Sequence, residues 1–270
     1  MKAHLLRFAL PAFCLIAAQL SGQQPAPQNS ETAFYQSSTY IKVAPGKSNE
    51  WLQLVRDTSM KVAQMRADAG EITVWTLLRS VMPAGQEARA DYAIHEVSVG
   101  APREPSSLAT ALQKAGVTMS SAEVNAKRNS LSTLVAIELW RPRVRLGAGQ
   151  KGHYVYVNHM KVHDAAAFND FELNIQRPMF EERIKRGEMS GWNYSTKVLP
   201  SGTDTAYTAR TADIFPTWEA AFKTMSSGRE LFAKVHPGKD ASKVMGNMSK
   251  MRDHAKRELW VVVERVEKKK

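Results

Sequence analysis

Cysteine is all but missing from this chain: among 270 residues there is one, Cys14. It sits in an apolar run from Phe8 to Ala18, with Lys2 and Arg7 ahead of it and small or polar Ser21, Gly22 and Gln23 behind. That order of charged, apolar and small residues is the grammar of a secretory leader, expected over residues 1–22. Phe13, in front of Cys14 where a lipoprotein signal carries a small residue, argues against lipidation. With the leader removed, disulfides, thiolate metal ligands and a cysteine nucleophile are all excluded. Long apolar runs are missing too. No later stretch approaches the roughly 18 residues that a membrane helix needs, so no integral membrane segment is expected after cleavage and the address is secreted or periplasmic.

Chemical signatures are equally sparse. There is no G-x-S-x-G, no G-x-G-x-x-G and no Walker loop, and the seven histidines form no H-E-x-x-H. His153, His159 and His163 straddle one strand at spacings that do not bring all three to one face, so no metal site is expected.

What the chain does have is an ordinary folding composition. With 43% hydrophobic and 23% charged residues, 15 Gly and 12 Pro, it is neither collagen-like, coiled-coil nor wholly disordered. Lys+Arg 37 against Asp+Glu 26 gives +11. Loss of Lys2 and Arg7 with the leader leaves 35 − 26 = +9. Acids are interleaved with the bases, as where Glu181-Glu182 precedes Arg183, Lys185 and Arg186, and only Lys268-Lys269-Lys270 is an unbroken run. This is a solvated basic surface, and nucleic acid is not an expected partner.

An internal repeat decides the architecture. Gly70-Glu71, Trp75 and Pro83 return as Gly187-Glu188, Trp192 and Pro200, each 117 residues on, and Glu138-Leu139-Trp140 returns as Glu258-Leu259-Trp260, 120 on. Tyr92 is matched with Tyr207, 115 on. Each half opens with an alternating strand, Tyr35 to Val43 or Tyr154 to Val162. A helix follows, capped by Asn49 in the first half and kinked or restarted by Pro178 in the second. Gly70 or Gly187 ends it. A hairpin of two strands, further short helices and a last strand, Val135 to Val144 or Leu259 to Val266, complete the unit. The βαββαβ order is ferredoxin-like, with helices on one face of an antiparallel sheet. Two such units in one chain cover their open faces by closing on each other. The expected layout is a polar tether 23–32, repeat 1 over 33–147, a linker 148–152, repeat 2 over 153–267 and a basic tail 268–270.

The stretch Arg186-Gly-Glu-Met-Ser-Gly191-Trp192, with Pro200-Ser-Gly-Thr-Asp204, Tyr207 and Phe215-Pro-Thr-Trp218, resembles exported bacterial members of the dimeric α/β-barrel superfamily that have no assigned activity. It is similar, more distantly, to NIPSNAP-type and antibiotic-biosynthesis-monooxygenase-type domains. The resemblance implies an α+β fold in which the two repeats form an intramolecular barrel, as a monomeric pseudo-dimer or a homo-oligomer. It leaves function open among cofactor-free monooxygenases, haem proteins and ligand-binding domains. Haem-degrading members carry an Asn on the first strand, a Trp on the third and a His in a Phe-x-x-x-His segment. Asn158 and Phe232-Ala-Lys-Val-His236 look like the first and last, and the Trp is missing. Asn158 and His236 are therefore the catalytic candidates, with His236 the candidate haem ligand.

The repeated tryptophans Trp75 and Trp192, and Trp140 and Trp260, are read first as sheet core. Their functional reading is a flat wall for a ring-shaped ligand, oriented by Asn158, Tyr194, His95 and Arg210. The leading expectation is an exported, non-enzymatic binder of a small apolar or aromatic molecule with no cofactor, using Trp192, Tyr194, Asn158, Arg210, Trp75 and His95. Its rivals are a cofactor-independent monooxygenase or haem oxidoreductase, and a structural or protein-interaction module.

Overall fold

Alternating side chains and terminating glycines build the same unit twice. In the first half β1 (Phe34–Val43) leads to α1 (Ser48–Asp57), α2 (Ser59–Asp68), β2 (Val74–Met82), β3 (Tyr92–Val99), α3 (Leu108–Lys114), α4 (Ser121–Leu131) and β4 (Ser132–Gly147). In the second, β5 (Tyr154–Val162) leads to α5 (Ala165–Phe171), a wide π turn (Glu172–Gln176), α6 (Arg177–Lys185), β6 (Gly191–Leu199), β7 (Ala209–Phe215), α7 (Trp218–Phe222), α8 (Gly228–Val235), α9 (Ala241–Gly246), α10 (Met248–Met251) and β8 (Arg252–Glu267). The structure, a computed structural model, describes residues 33–102, 106–223 and 228–269. The expected leader 1–22, the tether 23–32 and Lys270 of the basic tail lie outside the described residues.

Local chemistry sets the element ends. Asn49 lies inside α1, which starts one residue earlier at Ser48 with no side-chain cap. The helix breaks at Thr58, whose hydroxyl donates to the Leu54 carbonyl at 2.6 Å and competes with the backbone ladder. Gly70 and Gly187 close their helices at φ 72°, a region that L side chains rarely adopt. Pro178 falls inside one unbroken helical run, 165–185, and the π turn before it accommodates both the missing N–H and the steric conflict with the preceding carbonyls.

The eight strands close into one barrel in the order β1-β3-β2-β8-β5-β7-β6-β4. Each half contributes an antiparallel run, β4-β1-β3-β2 and β8-β5-β7-β6, and the halves are stitched by β2 with β8 and by β4 with β6. That stitching explains why β4 and β8 run to 16 residues, longer than their apolar alternation suggests. Their first residues pair with β1 or β5 at home, and their last with the other half. Register also corrects one repeat match. Ile41 pairs with Tyr92 and Met160 with Ala209, so the counterpart of Tyr92 is Ala209, 117 residues on, and Tyr207 matches Ala90.

Two helix-side cores and one interior core result. Trp51, Trp75, Leu77 and Tyr92 pack beneath the first half's helices. Phe168, Phe171, Trp192, Tyr194, Phe215 and Phe232 pack beneath the second's. Val144 of β4 joins the second half's core and Val266 of β8 the first's, so neither core is made by one repeat alone. Tyr40, Leu78, Val155, Val157, Ile214 and Trp260 fill part of the barrel.

The seam where β4 meets β6 is tight. Gly147 has φ 63°, and a Cβ there would stand 2.1 Å from the Ser190 carbonyl oxygen. Gly147→Ala is expected to cost about 2–3 kcal/mol, from backbone strain plus overpacking. Gly46→Ala, at φ 76° but with nothing within 4 Å, is expected to cost about 1 kcal/mol, the strain alone. Urea denaturation of both variants separates the terms, and equal losses would show that the seam tolerates a methyl group.

Candidate functional site

Alternation sends every second strand residue into the barrel. The inward set at one end is aliphatic: Leu78, Val97, Val155, Val157, Ile214 and Val262 surround a cavity of about 100 Å3. His95 on β3, Asn193 and Ser195 on β6 and Arg210 on β7 place polar groups on its wall, with Arg145 and Arg265 where β4 and β8 end. The linker closes one side. Gly149 lies against Val262 and Ile214, where a Cβ would meet their methyl groups at 3.5 and 3.6 Å, and the Gly152 N–H donates to the Val262 carbonyl. Among the described residues, no Asp or Glu lines the cavity.

Behind this space, towards the other end, the interior turns ionic. Arg210 is 4% exposed. Its Nη2 donates to Ser38 Oγ at 3.1 Å, and its guanidinium lies 4.1 Å over the Trp140 ring. Glu138, 2% exposed, accepts from Tyr207 Oη at 2.6 Å and from Lys197 Nζ at 3.0 Å. Lys197 is itself enclosed, its ammonium 3.8 Å from the Tyr207 ring centre. Burial pushes the Lys197 amine below its ordinary value, although Glu138 pulls the other way. Burial also opposes ionisation of Glu138, but Tyr207 and Lys197 prevail and hold its carboxyl below the usual range.

The pseudo-twofold mate of Glu138 is Glu258, which faces His159 Nε2 at 3.2 Å and Lys256 Nζ at 2.8 Å. Burial keeps His159 neutral. Its Nε2–H then donates to the Glu258 carboxylate, and its Nδ1, buried without a hydrogen-bond partner among the described residues, is an acceptor. A second small space of about 10 Å3, room for one water, lies between Glu258, Tyr40 and His95. Burial and the nearby Arg210 charge hold His95 well below its ordinary pKa, so it too is neutral.

Of the residues singled out from sequence, Arg210 and His95 line the cavity and the others do not. Trp192 is fully buried on the helix side, stacked on Phe180 at 4.7 Å and 9°. Trp75 packs beneath the first half's helices. Tyr194 is 1% exposed, edge-on to Phe168, at the border of a groove beside α5. Asn158 also points to the helix side, its Nδ2 donating to Thr211 Oγ1 at 3.1 Å and to Asp213 Oδ2 at 3.0 Å.

Haem was the cofactor that the resemblance raised, and the residues around His236 do not fit it. Helix α8 stops at Val235, just before the ring. The His236 Nε2 lies 2.9 Å from the Ile175 carbonyl, and the ring packs on Phe232. The volume that a macrocycle would need is occupied by Phe168, Phe171, Trp192, Phe215 and Phe232, all at or below 4% exposure. Among the described residues no cluster of three His, Cys, Asp or Glu is placed to hold a metal ion, and no helix is long and apolar enough to cross a membrane.

Sequence reasoning missed Arg145, Arg265, Asn193, Glu138 and Lys197 as site residues. The repeat carried a usable signal for two of them. Extending the match Glu138-Leu139-Trp140 with Glu258-Leu259-Trp260 by five residues pairs Arg145 with Arg265 at the same offset of 120.

The fold is that of dimeric α/β-barrel proteins, with both ferredoxin-like halves in one chain. A candidate monooxygenase from Fusobacterium nucleatum superposes with TM-score 0.53 at 9% identity, over 88% of this chain and 95% of its own. A candidate monooxygenase from Lactobacillus acidophilus does so with TM-score 0.51 at 13% identity, over 88% and 97%. Identities this low establish shared architecture only. No protein-family model matches the sequence, and no curated protein matches it.

Proposed function

We propose that this chain binds a small, largely apolar molecule inside its barrel, between the two repeats. The observation that carries the reading is the interior cavity of about 100 Å3, walled by branched aliphatic side chains and carrying a few fixed polar groups. Small-molecule sites have this mixture of apolar wall and sparse polar handles. The volume limits the occupant. An engineered cavity of about 150 Å3 takes benzene, so one aromatic ring or a short branched chain is the upper bound here. The aromatic wall foreseen at Trp192 and Tyr194 gives way to an aliphatic one, because those rings belong to the helix-side core.

Thermal unfolding of the protein with benzoate, benzamide, isovalerate and isovaleramide tests the reading. At least one of the four is expected to raise the melting temperature saturably, with a stabilisation of about 2.7 kcal/mol at one hundred times its Kd. Val155→Phe, which projects a ring into the cavity from β5, is expected to abolish the shift. Silence from all four ligands, or a shift unchanged in Val155→Phe, overturns it. The leader grammar of residues 1–22 supports export as a separate proposal, tested by secretion of the full-length chain with removal of that segment.

A further inference from the structure

We infer that the barrel ligand is an anion, a small carboxylate whose headgroup is taken by Arg210 and drawn in by Arg145 and Arg265 at the mouth. This rests on the proposed binding of a small molecule in the barrel and specifies its chemistry.

The first observation is an unfinished guanidinium. Arg210 is 4% exposed; Trp140 covers one face of its guanidinium, and Ser38 and Tyr40 are its hydrogen-bond partners. Its Nη1 is buried with no hydrogen-bond partner among the described residues, and the side chain borders the cavity. A buried charged donor left without an acceptor is costly. Glu138 lies near enough to influence Arg210 electrostatically, yet its hydrogen bonds go to Tyr207 and Lys197, not to the guanidinium. A planar fork anchored on one side, with a free nitrogen on the other, is suited to a planar carboxylate.

The second observation is independent and comes from the repeat. The pseudo-twofold axis sets Arg145 and Arg265 together at the end of the barrel, where both line the cavity. Their charges repel. Arg145 has its affinity for a proton lowered by burial and by Arg265, with Glu267 acting the other way. Arg265 donates to Glu267 through one amino group, while its Nε is buried with no partner among the described residues. Arg145 lies over the Phe34 ring and makes no ion pair among the described residues. Three arginines around a space that no Asp or Glu among the described residues lines create a positive potential, focused by low-dielectric walls, that attracts an anion with an apolar body.

Paired ligands of equal shape test this. Benzoate and isovalerate are expected to bind the wild-type chain at least tenfold more tightly than benzamide and isovaleramide by calorimetry. Arg210→Lys keeps the charge and loses the fork, and is expected to reduce the preference to threefold or less. Should that variant fail to fold by circular dichroism, the double variant Arg145→Gln/Arg265→Gln carries the test, with an expected loss of at least threefold in benzoate affinity. Equal binding of acid and amide to the wild type overturns the carboxylate assignment while leaving small-molecule binding intact. Binding of neither overturns the underlying reading. Stabilisation by inorganic phosphate without any by benzoate assigns the arginines to phosphate and overturns the carboxylate.

Discussion

Glu138→Ala is expected to destabilise the protein by about 3–5 kcal/mol, the loss typical when one member of a buried ionic group is removed. The reason lies less in lost attraction than in what is left behind. Lys197 is 5% exposed at its side chain, held 3.8 Å from the Tyr207 ring centre and 5.1 Å from that of Trp140. Without the carboxylate its ammonium would sit among rings with no counter-ion at hydrogen-bonding distance, and Tyr207 would lose the acceptor of its 2.6 Å hydrogen bond. The rings offer the desolvated cation about 2 kcal/mol or somewhat more, short of the loss typical when a buried pair is broken.

Two companion variants separate charge from shape. Glu138→Gln keeps an acceptor for Tyr207 but not the charge, and should fall between wild type and Glu138→Ala. Glu138→Leu combined with Lys197→Met removes both of these ions and is expected to recover part of the loss, the rest remaining because Arg89, 3.5 Å from Glu138, and the buried Arg210 still lose their counter-charge. Urea denaturation with unchanged slope measures all three. A loss below about 1 kcal/mol for Glu138→Ala would show that water reaches Lys197 and that the interior network is not sealed.

The fold was legible in the sequence because its evidence is periodic and repeated. Strand alternation and two glycine-terminated helices recur at one offset, and a repeat that must bury its open sheet face has few partners besides its own copy. Placement of the site was not legible, for a geometric reason. Alternation says that Trp192, Tyr194 and Thr196 share a face, but not whether that face meets the helices or the barrel. On β6 the helices took the aromatics, and the barrel took Asn193, Ser195 and Lys197. On β7 the same uncertainty resolved the other way for Arg210, which points inward. The inner face is the smaller and more polar one here, so a reading that sought aromatic walls chose the wrong side of β6. The start of β8 escaped for a second reason: Arg252 to Glu258 is almost wholly polar, and polar residues carry little strand signal even where backbone pairing is continuous.

Glu172 makes stability depend on pH. It stands at the start of the π turn ahead of Pro178, 4% exposed in the second half's core. Burial pushes its carboxyl up to about 8, with Arg252 opposing and Asp213 reinforcing. A carboxyl raised in the folded state holds its proton there while the unfolded chain releases it from about pH 4.5 upward. Its contribution is therefore fully present below pH 4.5 and is lost as pH rises through 8, at about 1.4 kcal/mol per pH unit. His159 acts in the opposite sense. Burial lowers its pKa, so its contribution is fully present above its ordinary 6.5 and is lost as pH falls below that value. The Glu172 and His159 slopes oppose each other below pH 6.5, where His95, also held neutral in the folded chain, adds to the His159 side. Between pH 6.5 and 8 only Glu172 of this pair still titrates, and the wild-type chain is expected to lose about 2 kcal/mol over that interval. Glu172→Gln, which stays neutral at every pH, should run flat there, so the two stability curves diverge towards alkaline pH. Denaturant titrations at pH 5, 6.5 and 8 measure the divergence. Parallel curves between pH 6.5 and 8 would mean that Glu172 is ionised in the folded core, and that Arg252 outweighs burial at the π turn.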